Sequence, residues 1–233
     1  MDRAQIVQDI LDKSGGKTYL EIGTWEGCSF FPVRAKRKFA VDVKFKIRSA
    51  KRLKRTISAT LKLNEERFFK TTSDDFFRKR SYLIKKNKID VALIDGAHTY
   101  QQSLEDILNC LNYLSDKGVI VVHDCNPDSE AAAYSGPSLQ SVEKLKLPGF
   151  KGCWCGDVWK TIVHLRSSRP DLYVFVLDCD FGVGIVTRGK PEDILNYSIE
   201  EIKDMSYRDL ELERRKLLNL KPQAFLKEFL EKY

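Results

Sequence analysis

Residues 18–29 read TYLEIGTWEGCS, and this stretch decides the fold class. Its first five residues form a short run rich in apolar and β-forming side chains, which is typical of a buried strand. Gly23 and Gly27 follow at once, and glycines let the chain turn sharply and approach a ligand closely. The stretch therefore predicts a strand that ends in a ligand-binding turn.

Similar runs recur along the chain and alternate with longer amphipathic segments, the pattern of a parallel sheet covered by helices. We predict seven strands, at residues 18–22, 39–43, 67–71, 91–95, 119–123, 173–178 and 182–187. Residues 179–181 are too few for a parallel crossover, so the last strand should run antiparallel. These features predict an α/β, doubly wound fold with a seven-stranded, mostly parallel sheet and an antiparallel last strand.

Composition predicts a folded globular chain. Of 233 residues, 42% are hydrophobic and 31% are charged, a balance that suits one core, so we predict a single domain over residues 1–233. No stretch approaches the roughly 20 apolar residues of a membrane span, and residues 1–16 lack the apolar segment of a signal peptide. We therefore expect a cytoplasmic location, with the six scattered cysteines mostly reduced.

A basic cluster lies at residues 34–55, where eleven of twenty-two positions are Lys or Arg. Clustered positive charge attracts the phosphates of a nucleic acid or of a nucleotide-linked sugar. These residues are also spaced around apolar positions as on a helix, which favours a solvated helix face. Both interpretations stay open at this point.

Asp42 lies nineteen residues beyond Gly23, at the end of the second predicted strand. An acid in this position can accept hydrogen bonds from both hydroxyls of a ribose. The turn lacks the Gly-x-Gly-x-x-Gly of dinucleotide binders and the Lys-Ser/Thr of a phosphate-binding loop, so a nucleoside without a pyrophosphate fits better. Taken alone, Asp42 could instead cap a helix and Gly23 could form an ordinary turn.

Two further segments carry polar residues at strand ends: VALIDGAHTY at residues 91–100 and VIVVHD at residues 119–124. With the glycine turn and Asp42, they resemble the class I S-adenosylmethionine-dependent methyltransferases over roughly residues 15–125. The two segments are similar to the subgroup of small-molecule and sugar O-methyltransferases. The resemblance implies a Rossmann-like sheet and a cofactor site made of Glu21, Gly23, Thr24, Gly27, Asp42, Ser73, Asp74 and Asp95.

Methyl transfer is an in-line displacement at a sulfonium carbon, so the enzyme must align donor and acceptor and remove the acceptor proton. Side chains at the ends of the fourth and fifth predicted strands should face one crevice. Histidine is suited to proton removal near neutral pH. The candidate catalytic residues are His98, His123, Asp124 and Asp157, and for Asp157 capping of the following helix is the alternative.

Related catechol-type and sugar-type enzymes hold a divalent cation with an acid after strand four and an acidic or amide pair after strand five. Asp95 and Asp124 match two of these positions, so Mg²⁺ or another divalent cation is a candidate cofactor. The third position is Cys125, a poor ligand for a hard ion, although Asn126 is adjacent. A zinc site made of His123, Cys125, Cys153 and Cys155 is a weaker alternative, because each pair is spaced too closely.

Two segments lie outside the regular pattern. Residues 126–156 are interrupted by proline and glycine and follow a strand end, so we interpret them as a lid over the acceptor. Residues 191–233 are charged and helical, and this C-terminal extension could cover a sheet edge or form a homodimer.

The predicted function is O-methylation of a hydroxyl on a glycan precursor or other small metabolite. A nucleic-acid methyltransferase that uses the basic cluster is one alternative, although no Asn-Pro-Pro-Tyr-like motif is present. A catalytically inactive scaffold that binds the cofactor is the other. The intact set of Glu21, Gly23, Gly27 and Asp42 argues against a scaffold.

Overall fold

The computed structural model describes residues 1–232 as an eight-stranded sheet with ten helices. The strands are β1 (Thr18–Ile22), β2 (Arg37–Asp42), β3 (Glu65–Lys70), β4 (Ile89–Ile94), β5 (Leu114–Val122), β6 (Leu172–Asp178), β7 (Val183–Arg188) and β8 (Leu220–Pro222). The helices are α1 (Arg3–Ser14), α2 (Ser49–Leu61), α3 (Ser73–Arg80), α4 (Tyr82–Lys85), α5 (Tyr100–Tyr113), α6 (Leu139–Lys144), α7 (Trp159–Ser168), α8 (Ile199–Asp204), α9 (Tyr207–Leu218) and α10 (Phe225–Lys232).

The strand order is β3-β2-β1-β4-β5-β7-β6-β8. The first five strands in this order are parallel, and β7 runs antiparallel to both of its neighbours. The predicted α/β, Rossmann-like fold with an antiparallel strand is therefore confirmed. The order reverses between β1 and β4, which places a ligand crevice at the carboxyl ends of these two strands.

Apolar residues cover both faces of the sheet. In β1, Leu20 and Ile22 pack into one buried cluster while Tyr19 packs into the other, because successive side chains of a strand point to opposite faces. Helices α3, α4, α5, α7, α8 and α9 contribute to the first cluster, and α1 and α10 contribute to the second. The sheet is thus a central layer between two layers of helices.

Helix α1 brings a charged residue to the crevice. Its first turn is capped by Asp2, whose side chain accepts a hydrogen bond from the Gln5 N–H at 2.9 Å. Ile6, Val7 and Ile10 are fully buried in the second cluster. This packing against β4 and β5 holds Arg3, the first residue of the helix, near the ends of those strands.

Three local features differ from the sequence predictions. The sheet has an eighth strand, β8, whose three residues pair with β6 and are too few to show an alternating pattern. Helix α6 lies within residues 126–156, which otherwise have no regular structure beyond turns and bends. The basic cluster is not one helix face, because Arg37 and Lys38 lie in β2, where Lys38 is buried. No helix within residues 1–232 is long and apolar enough to cross a bilayer.

Candidate active site

Gly23 occupies a position that only glycine fits. Its φ is +86°, and a Cβ atom there would lie 1.8 Å from the carbonyl oxygen of Asp95. The Gly23 N–H donates to the Val41 carbonyl at 2.9 Å, so the turn is tied to β2 as well. Gly27, with φ +81°, would place a Cβ 2.5 Å from the ring of Phe31. The turn after β1 therefore depends on close approach to the backbone after β4 at Gly23 and to the Phe31 ring at Gly27.

Asp42 is buried at the end of β2 and holds this turn in place. Its Oδ2 accepts from the Trp25 N–H at 2.6 Å, and its Oδ1 accepts from the Lys44 N–H at 2.7 Å. The carboxylate thus links two loops and does not cap a helix. Each carboxylate oxygen can accept a second hydrogen bond, so both remain able to receive a ribose hydroxyl.

Glu21 lies inside the fold beneath the turn. Its carboxyl group is fully buried and accepts hydrogen bonds from the Tyr19 hydroxyl and, at 3.1 Å, from Ser29 Oγ. Burial raises the pKa of Glu21 to about 8, although the two hydrogen bonds act in the opposite direction. Thr24 is also buried. These two side chains support the shape of the turn from within.

The pair after β3 lies at the start of α3, beside α5. The Gln102 side-chain amide donates to Ser73 Oγ and Asp74 Oδ1, both at 3.3 Å, and to Asp106 Oδ1 at 3.2 Å. Burial raises the pKa of Asp106 to about 7 against the effect of these hydrogen bonds. Sequence analysis missed Gln102 and Asp106, because they lie within a regular amphipathic helix and belong to no motif.

Four side chains predicted at the ends of β4 and β5 converge into an acidic-histidine cluster, made of Asp95, His98, His123 and Asp124. Asp124 Oδ2 lies 3.2 Å from His98 Nδ1 and 3.0 Å from His123 Nδ1. Asp95 Oδ1 lies 3.3 Å from His123 Nδ1 and 3.6 Å from His98 Nε2. The predicted juxtaposition of these residues is present.

Loop geometry and an aromatic neighbour fix the orientation of His98. The residue has φ +53°, and its Nδ1 lies 2.9 Å from the Trp154 carbonyl oxygen. The imidazole also stacks on the Trp154 indole, with ring centres 5.1 Å apart and planes 15° apart. Trp154 belongs to the 126–156 segment, so this segment contacts the cluster directly.

Arg3 and Asp180 extend the cluster, and sequence analysis missed both. Arg3 Nε lies 3.0 Å from Asp95 Oδ2, and Arg3 Nη1 lies 3.1 Å from Asp180 Oδ2. Asp180 Oδ1 in turn lies 3.4 Å from His123 Nε2. Asp180 sits in the turn between β6 and β7, which the predicted hairpin places beside β5. Arg3 had no comparable signal, because it is far from the cluster in sequence.

The charged side chains of the cluster shift one another's pKa values. Burial alone would lower the pKa of His123, but the carboxylates of Asp124, Asp180 and Asp95 raise it to about 11. Burial would raise the pKa of Asp95, but the two histidines and Arg3 hold it well below its usual range. The three carboxylates therefore favour the protonated form of His123. The pKa of His98 is also raised, by Asp95 and Asp124, against the effect of burial.

Within residues 1–232, Asp95, His98 and Asp124 form a group that could hold a metal ion, with ligand atoms within 4.8 Å of one another. They border a cavity of about 10 Å³, which has room for one water-sized group. Beside it, the buried Nδ1 of His123 has no aligned hydrogen-bond partner in this part of the chain. Two carboxylates and one imidazole suit a divalent cation, so the residues fit such an ion.

Cys125, which occupies the third ligand position of related enzymes, is not placed to bind a cation, and the zinc alternative does not agree with the geometry. Cys125 is fully buried, and its Sγ points to the carbonyl oxygens of Val122 and His123. Burial raises the pKa of the Cys125 thiol well above its usual range. Cys153 is exposed, and the four residues of the zinc alternative form no ligand group among the described side chains.

Asp157 binds the start of a different helix from the predicted one, α5, whose own N-cap is Thr99. Its Oδ1 accepts from the Tyr100 N–H at 2.6 Å, at the start of α5. Helix α7 begins after Val158 and has no side-chain cap, so capping of the following helix was wrong. We predict that Asp157→Ala lowers the free energy of unfolding by about 1 kcal/mol, the usual cost of losing a cap. Urea unfolding would measure this, and a loss of turnover without a loss of stability would instead support the predicted catalytic role.

Residues 20–125 match a family model described as a methyltransferase domain. This range contains the glycine turn, Asp42 and all four members of the acidic-histidine cluster. The matched range, 106 of the 233 residues, is similar to a methyltransferase domain. The comparison with curated protein sequences found no match.

Solved structures share the fold of this chain. An O-methyltransferase from Bacillus cereus in complex with SAH is 15% identical, with 80% of each chain covered and a TM-score of 0.53. The O-methyltransferase TomG from Streptomyces achromogenes, in complex with SAM, is 13% identical, with 78% of each chain covered and a TM-score of 0.50. A SAH-bound methyltransferase from Podospora anserina is 16% identical, covers 82% of this chain and 80% of its own, and has a TM-score of 0.50.

Proposed function

We propose that this methyltransferase transfers the methyl group of S-adenosylmethionine to a hydroxyl oxygen of a small-molecule acceptor. The observation that carries the proposal is the contact between the glycine turn and the acidic-histidine cluster. A Cβ on Gly23 would overlap the carbonyl oxygen of Asp95, so the turn and the cluster share one crevice. The Bacillus and Streptomyces O-methyltransferases with the same fold support this assignment.

In this proposal the cofactor lies along the ends of β2, β1 and β4. Gly23 and Gly27 allow close approach to the cofactor, and Thr24 and Glu21 support the turn from inside.

The remaining residues contact individual parts of the cofactor in this proposal. Asp42 accepts the ribose hydroxyls. Ser73 and Asp74 lie near the adenine, and Asp95 lies at the reacting end. A nucleoside without a pyrophosphate matches this set, since no side chain of the turn is a phosphate-binding lysine.

Asp95 and Asp124 would hold a divalent cation, so the imidazole of His98 beside them stays free to accept a proton. A cation held there would lower the pKa of the acceptor hydroxyl and help to orient it. His98 takes the proton in this proposal, because its side chain is 23% exposed whereas that of His123 is only 7% exposed. His123, as an imidazolium, positions Asp124 and Asp95. Asp180 offsets the positive charge of His123, and Arg3 offsets the negative charges of Asp95 and Asp180.

The 126–156 segment is proposed to close over the acceptor, since Trp154 already stacks on His98. An aromatic side chain beside the reacting group favours a sugar ring or an aromatic acceptor, and we propose a sugar or glycan precursor. A homodimer through residues 191–233 and a cytoplasmic location remain predictions. Neither the nucleic-acid alternative nor the scaffold alternative gains support from the cluster geometry.

Calorimetric titration with S-adenosylmethionine and S-adenosylhomocysteine tests the proposal, each with and without Mg²⁺ or Mn²⁺. We expect binding of both nucleosides, and a separate heat of cation binding. Release of S-adenosylhomocysteine in the presence of a panel of sugars and catechols would then identify the acceptor class. Failure of both nucleosides to bind would contradict the proposal.

We predict that Asp42→Ala weakens the binding of S-adenosylmethionine by roughly 10- to 100-fold, because charge-assisted hydrogen bonds to the ribose are lost. Calorimetry on the folded variant would measure the change. Asp116→Ala is the matched control, since Asp116 is an exposed acid near the start of β5, at the end of the sheet away from the crevice. An unchanged affinity in the Asp42 variant would remove Asp42 from the cofactor site.

A further inference from the structure

Helix α2 presents basic side chains, rather than apolar ones, to the rest of the domain. It packs against β3, yet none of its residues is buried. The side facing the domain is basic: the Arg52 guanidinium lies 4.7 Å from the Phe45 ring centre, and Arg55 binds Glu66 at 2.6 Å. The methylene and guanidinium groups of these arginines, rather than apolar side chains, make the contacts with the domain.

The apolar side chains of α2 face outward. Leu53, Ile57 and Leu61 repeat every four residues, so they form one stripe along the helix. They are 63%, 52% and 81% exposed, and Leu63 just beyond the helix is 87% exposed. A surface helix normally turns such a stripe toward the core. A contiguous apolar stripe in water therefore marks an interaction surface.

The surroundings of this stripe are strongly basic. Residues 43–64 contain eight Lys or Arg and no Asp or Glu. Arg48, Lys54 and Lys62 are exposed near the stripe. Any occupant that covers the stripe therefore meets a surface of one charge sign, and an anionic occupant is favoured.

A basic cavity opens at the beginning of α2. Its volume is about 340 Å³, and its lining includes Lys44, Lys46, Arg48, Arg52 and Lys70. No side chain caps the helix here, so its first N–H groups and its dipole also face the cavity. The buried Nε of Arg52 has no hydrogen-bond partner within residues 1–232. The cavity thus offers donors and positive charge to a phosphate group, directly beside the apolar stripe.

We infer that α2 docks this methyltransferase on a membrane surface rich in anionic phospholipid. The apolar stripe enters the boundary between headgroups and acyl chains, while the surrounding lysines and arginines bind the headgroup phosphates. A second copy of the chain would place like charges against each other. A nucleic acid would satisfy the charges but leave the stripe in water. This inference is independent of the acceptor and of the transfer reaction.

Flotation of the full chain with vesicles tests the inference. One vesicle set contains equal parts of phosphatidylcholine and phosphatidylserine, and the other contains phosphatidylcholine alone. We expect partition to the anionic vesicles that is at least about tenfold stronger than to the neutral ones and that weakens as salt is added. Equal partition to both sets, or none to either, would overturn the inference.

The combined variant Leu53→Gln, Ile57→Gln, Leu61→Gln tests the stripe itself. Glutamine is a good helix former and these side chains face solvent, so the unfolding midpoint should stay near that of the original chain. We expect vesicle partition to fall by about tenfold or more. Leu212→Gln is the matched control, because Leu212 is a 73% exposed leucine on α9, and it should partition as before.

The same variants show whether a second copy of the chain or a nucleic acid, rather than a membrane, covers the apolar stripe. If the chain self-associates in ultracentrifugation and the triple variant abolishes that association without changing vesicle partition, the occupant is a second copy and the inference fails. If RNA binds and vesicles do not, it fails in favour of nucleic acid. A second variant, Lys51→Gln, Lys54→Gln, Lys62→Gln, should weaken partition to anionic vesicles and remove part of its salt dependence.

Discussion

Replacing Gly23 by alanine is expected to lower the free energy of unfolding by more than about 4 kcal/mol, or to prevent folding altogether. The new Cβ would lie 1.8 Å from the Asp95 carbonyl oxygen and 2.8 Å from the Gly96 Cα. Both neighbours are backbone atoms, so no side-chain rotation can relieve the overlap. The ends of β1 and β4 would have to separate, and that separation would also open the proposed cofactor site.

Gly15→Ala provides the control for backbone strain alone. Gly15 has φ +66°, close to that of Gly23, but a Cβ there would meet nothing within 4 Å. It should therefore cost only about 1–2 kcal/mol, the penalty for a left-handed alanine. Urea unfolding of both variants would separate strain from overlap. Similar losses in the two variants would show that β1 and β4 do not approach as closely as described.

The core strands and the cluster could be predicted from sequence because their signals are local. Each of the seven predicted strands is a short run bounded by turn residues. Six of them are present within two residues of the predicted bounds, and β5 begins five residues earlier than predicted. His98 and Asp124 were found because they follow strands, and parallel strands that neighbour one another end at the same edge of a sheet. Hydrophobic periodicity, together with the rule that neighbouring parallel strands end at the same edge of a sheet, was sufficient to predict the strands and the acidic-histidine cluster.

Other features depend on contacts between distant parts of the chain. Arg3 reaches Asp95 only because α1 packs across β4 and β5, and nothing near Arg3 in the sequence indicates that packing. β8 is too short to have a pattern of its own. In α2, the sequence pattern correctly indicated a helix, but it could not tell which side faces the domain. Aromatic rings and Glu66 on neighbouring elements decide that.

Asp124→Asn is expected to reduce methyl transfer by roughly 10²- to 10⁴-fold, the range for loss of a group that activates the acceptor proton. Asparagine has nearly the same shape and tolerates the left-handed backbone, and Asp124 has φ +61°, so the fold should be kept. The carboxylate charge near His98 and His123 is lost, and with it one ligand of the proposed cation site. Affinity for S-adenosylmethionine should change little, because Asp124 lies on the acceptor side of the cluster.

Two measurements on this variant separate the roles of Asp124. Calorimetry with Mn²⁺ should show weakened cation binding, and release of S-adenosylhomocysteine with the acceptor of the original chain should show the loss of transfer. Asp116→Asn is the control, since Asp116 is an exposed acid near the start of β5, at the opposite end of the strand from Asp124, and should retain both properties. If Asp124→Asn keeps full transfer and full Mn²⁺ affinity, Asp124 belongs to neither step. If only transfer is lost, Asp124 acts through His98 rather than through a cation.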